Sequence, residues 1–391
     1  MPKALLSVVL GDTPAVRGAV VDGLLRLSPR PVLLAVTIEA RDAGYPVVQR
    51  FLSGAGAPAG ETSLSATGDP VVILRQDLFH LRRLGAAHIV LALPEDVDAL
   101  PFLIELWRAR VASASLGDHF AAAPVTVGVD PASFTVDIGC VHRGVRLWSG
   151  GDRGEPLTPA EVAVRRVEAA DALIVPAPAD GTDDGRVSGT VALAAHLNAH
   201  ARVVTLGPDD ELPDSLARPL PSGTEEQWRA RWEPVAVPRA GRGADGGMTS
   251  VLWRTRRPLH PERLADALPE VMWRVVRGSG HLWLCSRPDA VVTWRSAGGH
   301  LELKEADRWL EPADTDAWEA ASPQRRTLAS WFWDDYVGER RNEITLTGPG
   351  LDPEAIHRAL NAALLTDAEL SLGREGWTAV PDPLLGDVDL R

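Results

Sequence analysis

Over its first half, the chain repeatedly alternates short runs rich in Val, Leu and Ile with segments of helical pattern. Buried strands of a parallel sheet have continuous apolar runs, because helices cover both faces of such a sheet. The alternation therefore predicts an α/β domain with a mostly parallel sheet. The predicted strands lie at 5–10, 31–38, 87–93, 125–129, 172–175 and 202–206.

One helix in this half has a clear start signal. Thr158 is followed by Pro159 at the first helical position and by Glu161 three residues after the threonine. This spacing is that of a capping box, so it predicts a helix that runs from here to about residue 170.

A change of composition divides the chain. Residues 207–248 are rich in polar residues, Pro and Gly, and such a composition buries too little apolar area to order itself. We therefore predict three segments, namely a first domain at 1–206, a linker at 207–248 and a second domain at 249–391.

Charge and cysteine content limit the class of function. The formal net charge of −13 argues against binding to duplex DNA, which requires many Lys and Arg side chains. Two widely separated cysteines, Cys140 and Cys285, give no disulfide framework and no Cys-x-x-Cys motif, as expected in a reducing cytosol. Neither a signal peptide nor a membrane span is evident. We expect a cytoplasmic protein without membrane contact.

Three segments of the second half carry a resemblance. They are the run that starts Arg257-Pro-Leu-His260, the run Gly278-Ser-Gly-His-Leu-Trp283 with the later Ser296-Ala-Gly-Gly, and the run that starts Glu339-Arg-Arg-Asn-Glu. In order and spacing they resemble the C-terminal domain of the CobW-like family. The resemblance implies a P-loop-NTPase-like first domain, a smaller α+β second domain, and a role in GTP-dependent metal supply. It also implies a P-loop, a Cys-x-Cys-Cys metal motif and an Asn-Lys-x-Asp motif that recognises guanine.

The P-loop of the family is degenerate here. A P-loop needs glycines that let the backbone approach phosphate, a Lys near the terminal phosphates and a hydroxyl for Mg²⁺. After the first predicted strand, Gly11 is retained, but Val16, Arg17 and Gly18 stand where the second glycine, the Lys and the hydroxyl belong. Gly11 and Arg17 are thus remnant cofactor-binding positions.

The guanine motif is also altered. Pro176 stands where the Asn of the family motif belongs, and Lys3 and Lys304 are the only lysines in the chain. Asp180 occupies the position of the base-reading carboxylate and is either a remnant of it or a loop residue. Ordinary GTP hydrolysis is therefore not expected.

The metal motif has lost its thiols. Counting back from the helical run Leu74-Arg-Gln-Asp-Leu78 places Asp69, Val71 and Val72 at the three cysteine positions. Valine cannot ligate zinc, for which thiolates are favoured ligands. His196 and His200 have helical spacing, but their pattern fits a solvated helix face better than a zinc site. We predict no metal ligands and no cofactor, with GTP, Mg²⁺ and Zn²⁺ as the alternative.

Nine of the 13 tryptophans lie in the second domain. A tryptophan-rich core is the simpler interpretation, and an exposed aromatic interface is the alternative, because aromatic anchors concentrate binding energy. The candidate partner-binding residues are His260, Trp283, Trp331 and Trp333.

These observations together predict a non-catalytic CobW-family protein of zinc homeostasis or the zinc-starvation response. It would bind a protein partner, possible partners being the ribosome or a ribosome-hibernation factor, as in degenerate members of the family. A divergent GTP-dependent zinc metallochaperone is the alternative function. A zinc-binding protein whose ligands lie far apart in sequence is a third hypothesis.

Overall fold

The computed structural model describes residues 2–57, 60–108, 115–142, 144–178, 185–207, 209–238, 241 and 245–386. The chain divides into two compact units, Met1–Trp228 and Arg229–Arg391. This division falls inside the segment 207–248, while the boundaries at 206 and 248 stay predictions.

The first unit alternates strands and helices along the chain. Its elements are β1 (Ala4–Gly11), α1 (Pro14–Arg26), β2 (Pro31–Glu39), β3 (Val47–Ser53), β4 (Thr62–Thr67), α2 (Pro70–Arg83), β5 (His88–Ala92), α3 (Ala99–Trp107), α4 (Leu116–His119), β6 (Phe120–Ala122), β7 (Thr126–Gly128), α5 (Pro131–Ile138), α6 (Pro159–Ala169), β8 (Ala172–Pro176), α7 (Arg186–Leu197), β9 (Arg202–Leu206) and the start of α8 (Thr224–Trp232).

The strands of this unit form one sheet of nine in the described residues, in the order β4-β3-β2-β5-β1-β7-β8-β9, with β6 also paired to β1. Within the described residues, the pairs β2–β3 and β3–β4 at one edge are antiparallel, and the other pairs of this sheet are parallel. Strand β1 lies between β5 and β7, and it pairs with both in parallel. The prediction of a mostly parallel sheet with helices is confirmed.

Apolar burial explains why the central strands could be recognised in the sequence. All five residues of β5 are buried. All residues of β1 are buried as well, except Leu5, which is half-buried. The helix predicted to start after Thr158 is present as α6. Thr158 caps it by accepting a hydrogen bond from the Glu161 amide at 3.1 Å. The Glu161 carboxylate binds Arg165 at 2.9 Å.

The segment predicted to be a linker is partly packed. Leu212, Leu216 and Trp228 are buried at 4%, 2% and 1% exposure, and Trp228 belongs to a helix. The prediction that this composition does not order itself is therefore wrong for these residues. A few large apolar side chains hold the segment although its average composition is polar.

The second unit consists of strands and helices in a different arrangement. They are β10 (Met248–Thr255), α9 (Pro261–Val271), β11 (Arg277–Leu282), β12 (Ala290–Ala297), β13 (His300–Arg308), α10 (Thr315–Ala320), α11 (Pro323–Trp331), β14 (Asn342–Pro349), α12 (Pro353–Ala362), α13 (Asp367–Leu370) and α14 (Gly373–Thr378). The five strands pair antiparallel in the order β10-β14-β11-β12-β13. The prediction of a smaller α+β second unit is confirmed.

One face of this sheet packs on α9 and α12. Its core includes Trp294 from β12, Leu264 from α9 and Leu360 from α12, all fully buried. Gly280 in β11 has φ of +148°, and a Cβ there would collide with the Glu343 carbonyl of β14. Glycine at this position lets β11 and β14 approach closely, which explains part of the Gly-Ser-Gly segment.

The Glu339-Arg-Arg-Asn-Glu segment is a buried polar centre of the second unit. Arg325 donates to both carboxylate oxygens of Glu339 at 2.5 Å, and to Asp307 at 2.8 Å. The Arg341 guanidinium lies 4.0 Å from the ring centre of Phe332. Asn342 donates to the Arg257 carbonyl and accepts from the Trp283 amide, both at 2.7 Å. The residues of this segment, which carry part of the family resemblance, therefore have a structural role in the second unit.

None of the helices in the described part of the chain has the length and apolar character needed to cross a membrane.

Candidate functional site

The carboxyl end of β1 is where a P-loop fold binds phosphate. Here only Asp12 and Thr13 separate β1 from α1, whose first residue is Pro14. Thr13 caps the helix by accepting a hydrogen bond from the Val16 amide at 3.3 Å. A P-loop needs a longer glycine-rich loop whose amides surround phosphate. The turn in this protein is too short to form that cradle.

Side chains fill the space beside this turn. A Cβ at Gly11 would lie 2.8 Å from the Arg17 Cβ, and one at Gly128 in β7 would collide with the Val16 side chain. The two glycines face each other in the β1–β7 register. Gly11 therefore allows α1 to pack on the strand end, which is a packing role.

Arg17 has partners within its own unit. It donates to the Leu93 carbonyl at 3.1 Å and lies 2.9 Å from a carboxylate oxygen of Glu95. Both partners follow β5, so the guanidinium is directed along the strand ends. Gly18, at the position of the Mg²⁺ hydroxyl, has open space around it.

Asp12 places a carboxyl group where phosphate would lie. One of its oxygens accepts from the Asp130 amide at 2.7 Å and from the Ser133 hydroxyl at 3.0 Å. The other oxygen, Oδ1, is buried with no hydrogen-bond partner among the described residues. The pKa of Asp12 is raised to about 6, mainly because the carboxyl is buried; the charge of Asp130 adds to the rise, and the two hydrogen bonds and Arg166 oppose it. A carboxylate in this position repels phosphate.

Replacing Asp12 with asparagine should stabilise the protein above pH 7. A carboxyl whose pKa rises from 3.8 to about 6 on folding binds protons more tightly when folded, so its stabilising contribution is full below 3.8 and lost as pH rises through 6. Asparagine keeps the acceptor without the charge. We expect a gain of about 1–3 kcal/mol at pH 7.5 that shrinks toward pH 4, measured by urea unfolding.

The control for this prediction is Asp22→Asn, which changes an exposed carboxyl on α1, the helix that follows the turn. Equal shifts in the two variants at pH 7.5, or a wild type that is the more stable protein there, would contradict the burial of the Asp12 charge.

The sequence-predicted guanine site is only partly described. Pro176 ends β8 beside Leu206 of β9, and Asp180 lies outside the described residues. Its assignment as a remnant stays a prediction.

The three positions of the metal motif form the start of α2. Asp69 caps this helix, accepting from the Val71 amide at 2.8 Å and the Val72 amide at 3.3 Å. The Val71 side chain is fully buried in the apolar core. Within the described residues, no group of three or more His, Cys, Asp or Glu side chains is placed to hold a metal ion. The residues present do not fit a thiolate zinc site of the family kind.

The histidine pair does not lie on one solvated helix face. His196 is buried at 3% exposure near the end of α7, and His200 follows that helix. The expectation of a solvated face is wrong for His196.

The candidate partner residues separate into buried and accessible ones. Trp283 is 2% exposed and packs edge-on against Trp377 at 6.1 Å between ring centres, so its assignment to a partner surface is wrong. His260 is half-buried before α9. Trp331 is 78% exposed, and Trp333 is half-buried beside Trp318 at 6.1 Å.

Sequence reasoning missed two residues of these regions. Ser133 and Arg166 contribute to the surroundings of Asp12 from more than 100 residues away, so neither had a local signal. Tyr336, by contrast, belongs to the aromatic run that starts at Trp331, and it is 98% exposed.

The chain matches a known family model over one segment and is similar to named proteins over longer stretches. Residues 248–364 match the family model of the cobalamin synthesis protein CobW C-terminal domain. The zinc chaperone Rv0106 of Mycobacterium tuberculosis is 30% identical over 324 residues, which cover 83% of this chain and 77% of that protein. The zinc-regulated GTPase metalloprotein activator 1 of Dictyostelium discoideum is 27% identical over 220 residues, covering 54% and 45%.

A solved structure, that of the Zn(II)-bound YjiA GTPase from E. coli, is also similar. The match covers 93% of this chain and 100% of the YjiA chain. Its identity is 11% and its TM-score 0.39, which is too weak a likeness to support a conclusion.

An α/β unit followed by this C-terminal domain defines a class of CobW-type proteins. The chain belongs to the CobW-like family, as its similarity to the mycobacterial relative over most of both proteins shows.

The predicted absence of any cofactor needs correction. Similar proteins are named for zinc and for GTP, and these names contradict a cofactor-free interpretation. The error came from equating the loss of the family motifs with the loss of the ligands.

Proposed function

We propose that this protein acts in zinc homeostasis by binding a protein partner, and that it does not hydrolyse GTP at the β1–α1 turn. The observation that carries the proposal is the contrast between the two units. The turn after β1 is short and holds the Asp12 carboxyl, whereas the C-terminal CobW domain is retained and exposes aromatic side chains. The names of the relatives support a role for zinc.

Trp331 and Tyr336, with half-buried Trp333 beside them, form what we call the aromatic surface. Exposed tryptophan and tyrosine side chains are favoured anchors of protein interfaces. At 78% and 98% exposure, Trp331 and Tyr336 contribute little to their own unit. Their accessibility is therefore better explained by a partner than by folding.

The backbone of the aromatic surface is held by local hydrogen bonds. Asp334 and Gly338 exchange two backbone hydrogen bonds at 2.8 and 2.9 Å. The Asp334 carboxylate accepts from the Tyr336 amide at 2.9 Å, and these amide contacts lower the pKa of Asp334. Arg256 donates to the Phe332 carbonyl at 2.6 Å. A turn that is already ordered loses less conformational entropy when a partner binds.

The double variant Trp331→Ala/Tyr336→Ala is expected to bind the partner at least about tenfold more weakly, because each side chain is a candidate anchor. The tagged full-length protein would be recovered from zinc-depleted cells, and ribosomal proteins and hibernation factors would be quantified by mass spectrometry.

A matched control is Trp273→Ala, which removes a tryptophan that is 74% exposed outside the aromatic surface. Equal recovery with the double variant and wild type, or an equal loss with the control, would count against the aromatic surface. Failure to recover any ribosomal protein or hibernation factor would reject those partners.

A GTP-dependent zinc chaperone is the second candidate, favoured by the names of the relatives. In this case GTP would bind through contacts other than a P-loop. Titration with a fluorescent GTP analogue and Mg²⁺ tests it, and hydrolysis that accelerates with zinc would place this candidate first.

A further inference from the structure

We propose that a cavity at the carboxyl ends of β2 and β5 binds a mononucleotide-like ligand, that is, a small phosphorylated molecule with a planar ring. The cavity has a volume of about 350 Å³ and is lined by residues of the first unit. Its lining includes Arg41, Tyr45, Trp148 and Arg153. The proposal is independent of partner binding through the aromatic surface.

One wall follows β2. Ala40 comes directly after the last residue of β2, and the connection to β3 continues through Arg41 and Tyr45 to Pro46. The Pro46 carbonyl accepts a hydrogen bond from the Gly68 amide at 3.1 Å, which ties the end of this connection to the residues before α2.

The other wall is anchored beyond β5. The Trp148 amide donates to the Asp96 carbonyl at 2.7 Å, and the Asp98 amide donates to the Trp148 carbonyl at 3.0 Å. Ser149 closes the following turn by donating from its amide to the Asp152 carbonyl at 3.0 Å. Both walls therefore stand outside the carboxyl ends of parallel strands, which is where open α/β sheets bind their ligands.

One guanidinium group of the lining, that of Arg41, is available to bind an anion. Arg41 is exposed and forms no ion pair within the described residues. Arg153 lies 3.9 Å from an Asp96 carboxylate oxygen, which is a loose contact. Asp152 is a second carboxylate, in the same lining, so Arg41 is the guanidinium group left for an anion there. Arginine presents a planar fork of donors that matches phosphate oxygens.

The lining also supplies flat surfaces for a ring. On the wall beyond β5, the Arg153 guanidinium carbon lies 5.5 Å from the ring centre of Trp148, which is 4% exposed. Tyr45 is 64% exposed on the opposite wall. Nucleobases stack on aromatic rings and on guanidinium planes. A ring between Tyr45 and Arg153, with its phosphate at Arg41, uses each of these groups.

The size fits this class of ligand, since sites for small molecules and cofactors commonly measure about 300–1,000 Å³. None of the lining residues belongs to the turn between β1 and α1. A nucleotide bound here would not need the phosphate cradle that the short turn fails to form.

The test is isothermal titration of the full-length protein with GMP, AMP, guanosine and inorganic phosphate. We expect GMP or AMP to bind more tightly than guanosine and phosphate do, because only the nucleotide uses both the ring surfaces and Arg41. Arg41→Ala and Tyr45→Ala should each weaken nucleotide binding at least about tenfold. Both residues are exposed, and circular dichroism would verify that the variants fold.

The control Arg358→Ala removes an exposed arginine on α12 of the second unit and should leave the affinity unchanged. Three results would overturn the proposal: no nucleotide binding at millimolar concentration, wild-type affinity in the Arg41→Ala and Tyr45→Ala variants, or phosphate binding as tight as that of GMP. Since partner recovery is measured separately with the Trp331 and Tyr336 variant, failure of one proposal is distinguishable from failure of the other.

Discussion

Replacing Arg325 with alanine is expected to lower the free energy of unfolding by about 3–5 kcal/mol, because it leaves a buried carboxylate without its partner. The side chains of Arg325 and Glu339 are 3% and 0% exposed. Glu339 also accepts from the Leu310 amide at 2.6 Å, so its charge is fixed in the interior. Urea unfolding followed by circular dichroism would measure the change.

Arg326→Ala is the matched control for Arg325→Ala. Arg326 is the next residue along the chain, but it is exposed, and its guanidinium donates to the Trp318 carbonyl at 3.2 Å. We expect its loss to change stability by about 0.5 kcal/mol or less. Similar stability losses in both variants would contradict the buried pair.

Trp228→Ala is expected to destabilise the first unit by about 3–5 kcal/mol, the usual cost of removing a buried tryptophan. Trp228 is 1% exposed and meets Trp107 edge-on, with 5.2 Å between ring centres. The truncation would leave a cavity beside Trp107 that the surrounding core cannot fill completely. Thermal and urea unfolding of the full-length protein would measure the effect.

This experiment distinguishes a packed segment from a flexible linker. Trp232 lies one helical turn after Trp228 but is 37% exposed, so Trp232→Ala should have a much smaller effect. A Trp228→Ala protein as stable as wild type would mean that residues around 228 behave as the polar composition of 207–248 predicted.

The parallel strands were predictable because burial on both faces selects continuous apolar runs. The hairpin of β3 and β4 was not, since β4 has the sequence Thr-Ser-Leu-Ser-Ala-Thr and lies at the exposed edge of the sheet. Trp228 shows the converse case. Its local composition is polar, and only its tertiary contact with Trp107 places it in the core.

The family motif residues that this protein lacks could be predicted from its sequence. The contacts made by the residues in their places could not. Alignment with the family motif showed that Arg17 stands in the place of the P-loop Lys, but its partners Leu93 and Glu95 lie more than 70 residues away. The same limit applies to Asp12 and Ser133, which lie 121 residues apart. Trp283 and Trp331 look alike in sequence, and only packing separates the buried one from the exposed one.

The most direct test of the central claim is the release of phosphate from GTP by the purified protein with Mg²⁺, with and without zinc, for wild type and Arg17→Ala. If the protein acts by contacting a partner and not by hydrolysis at the β1–α1 turn, release should equal the protein-free background in both proteins. Steady turnover by wild type that is lost in a folded Arg17→Ala protein would contradict the claim.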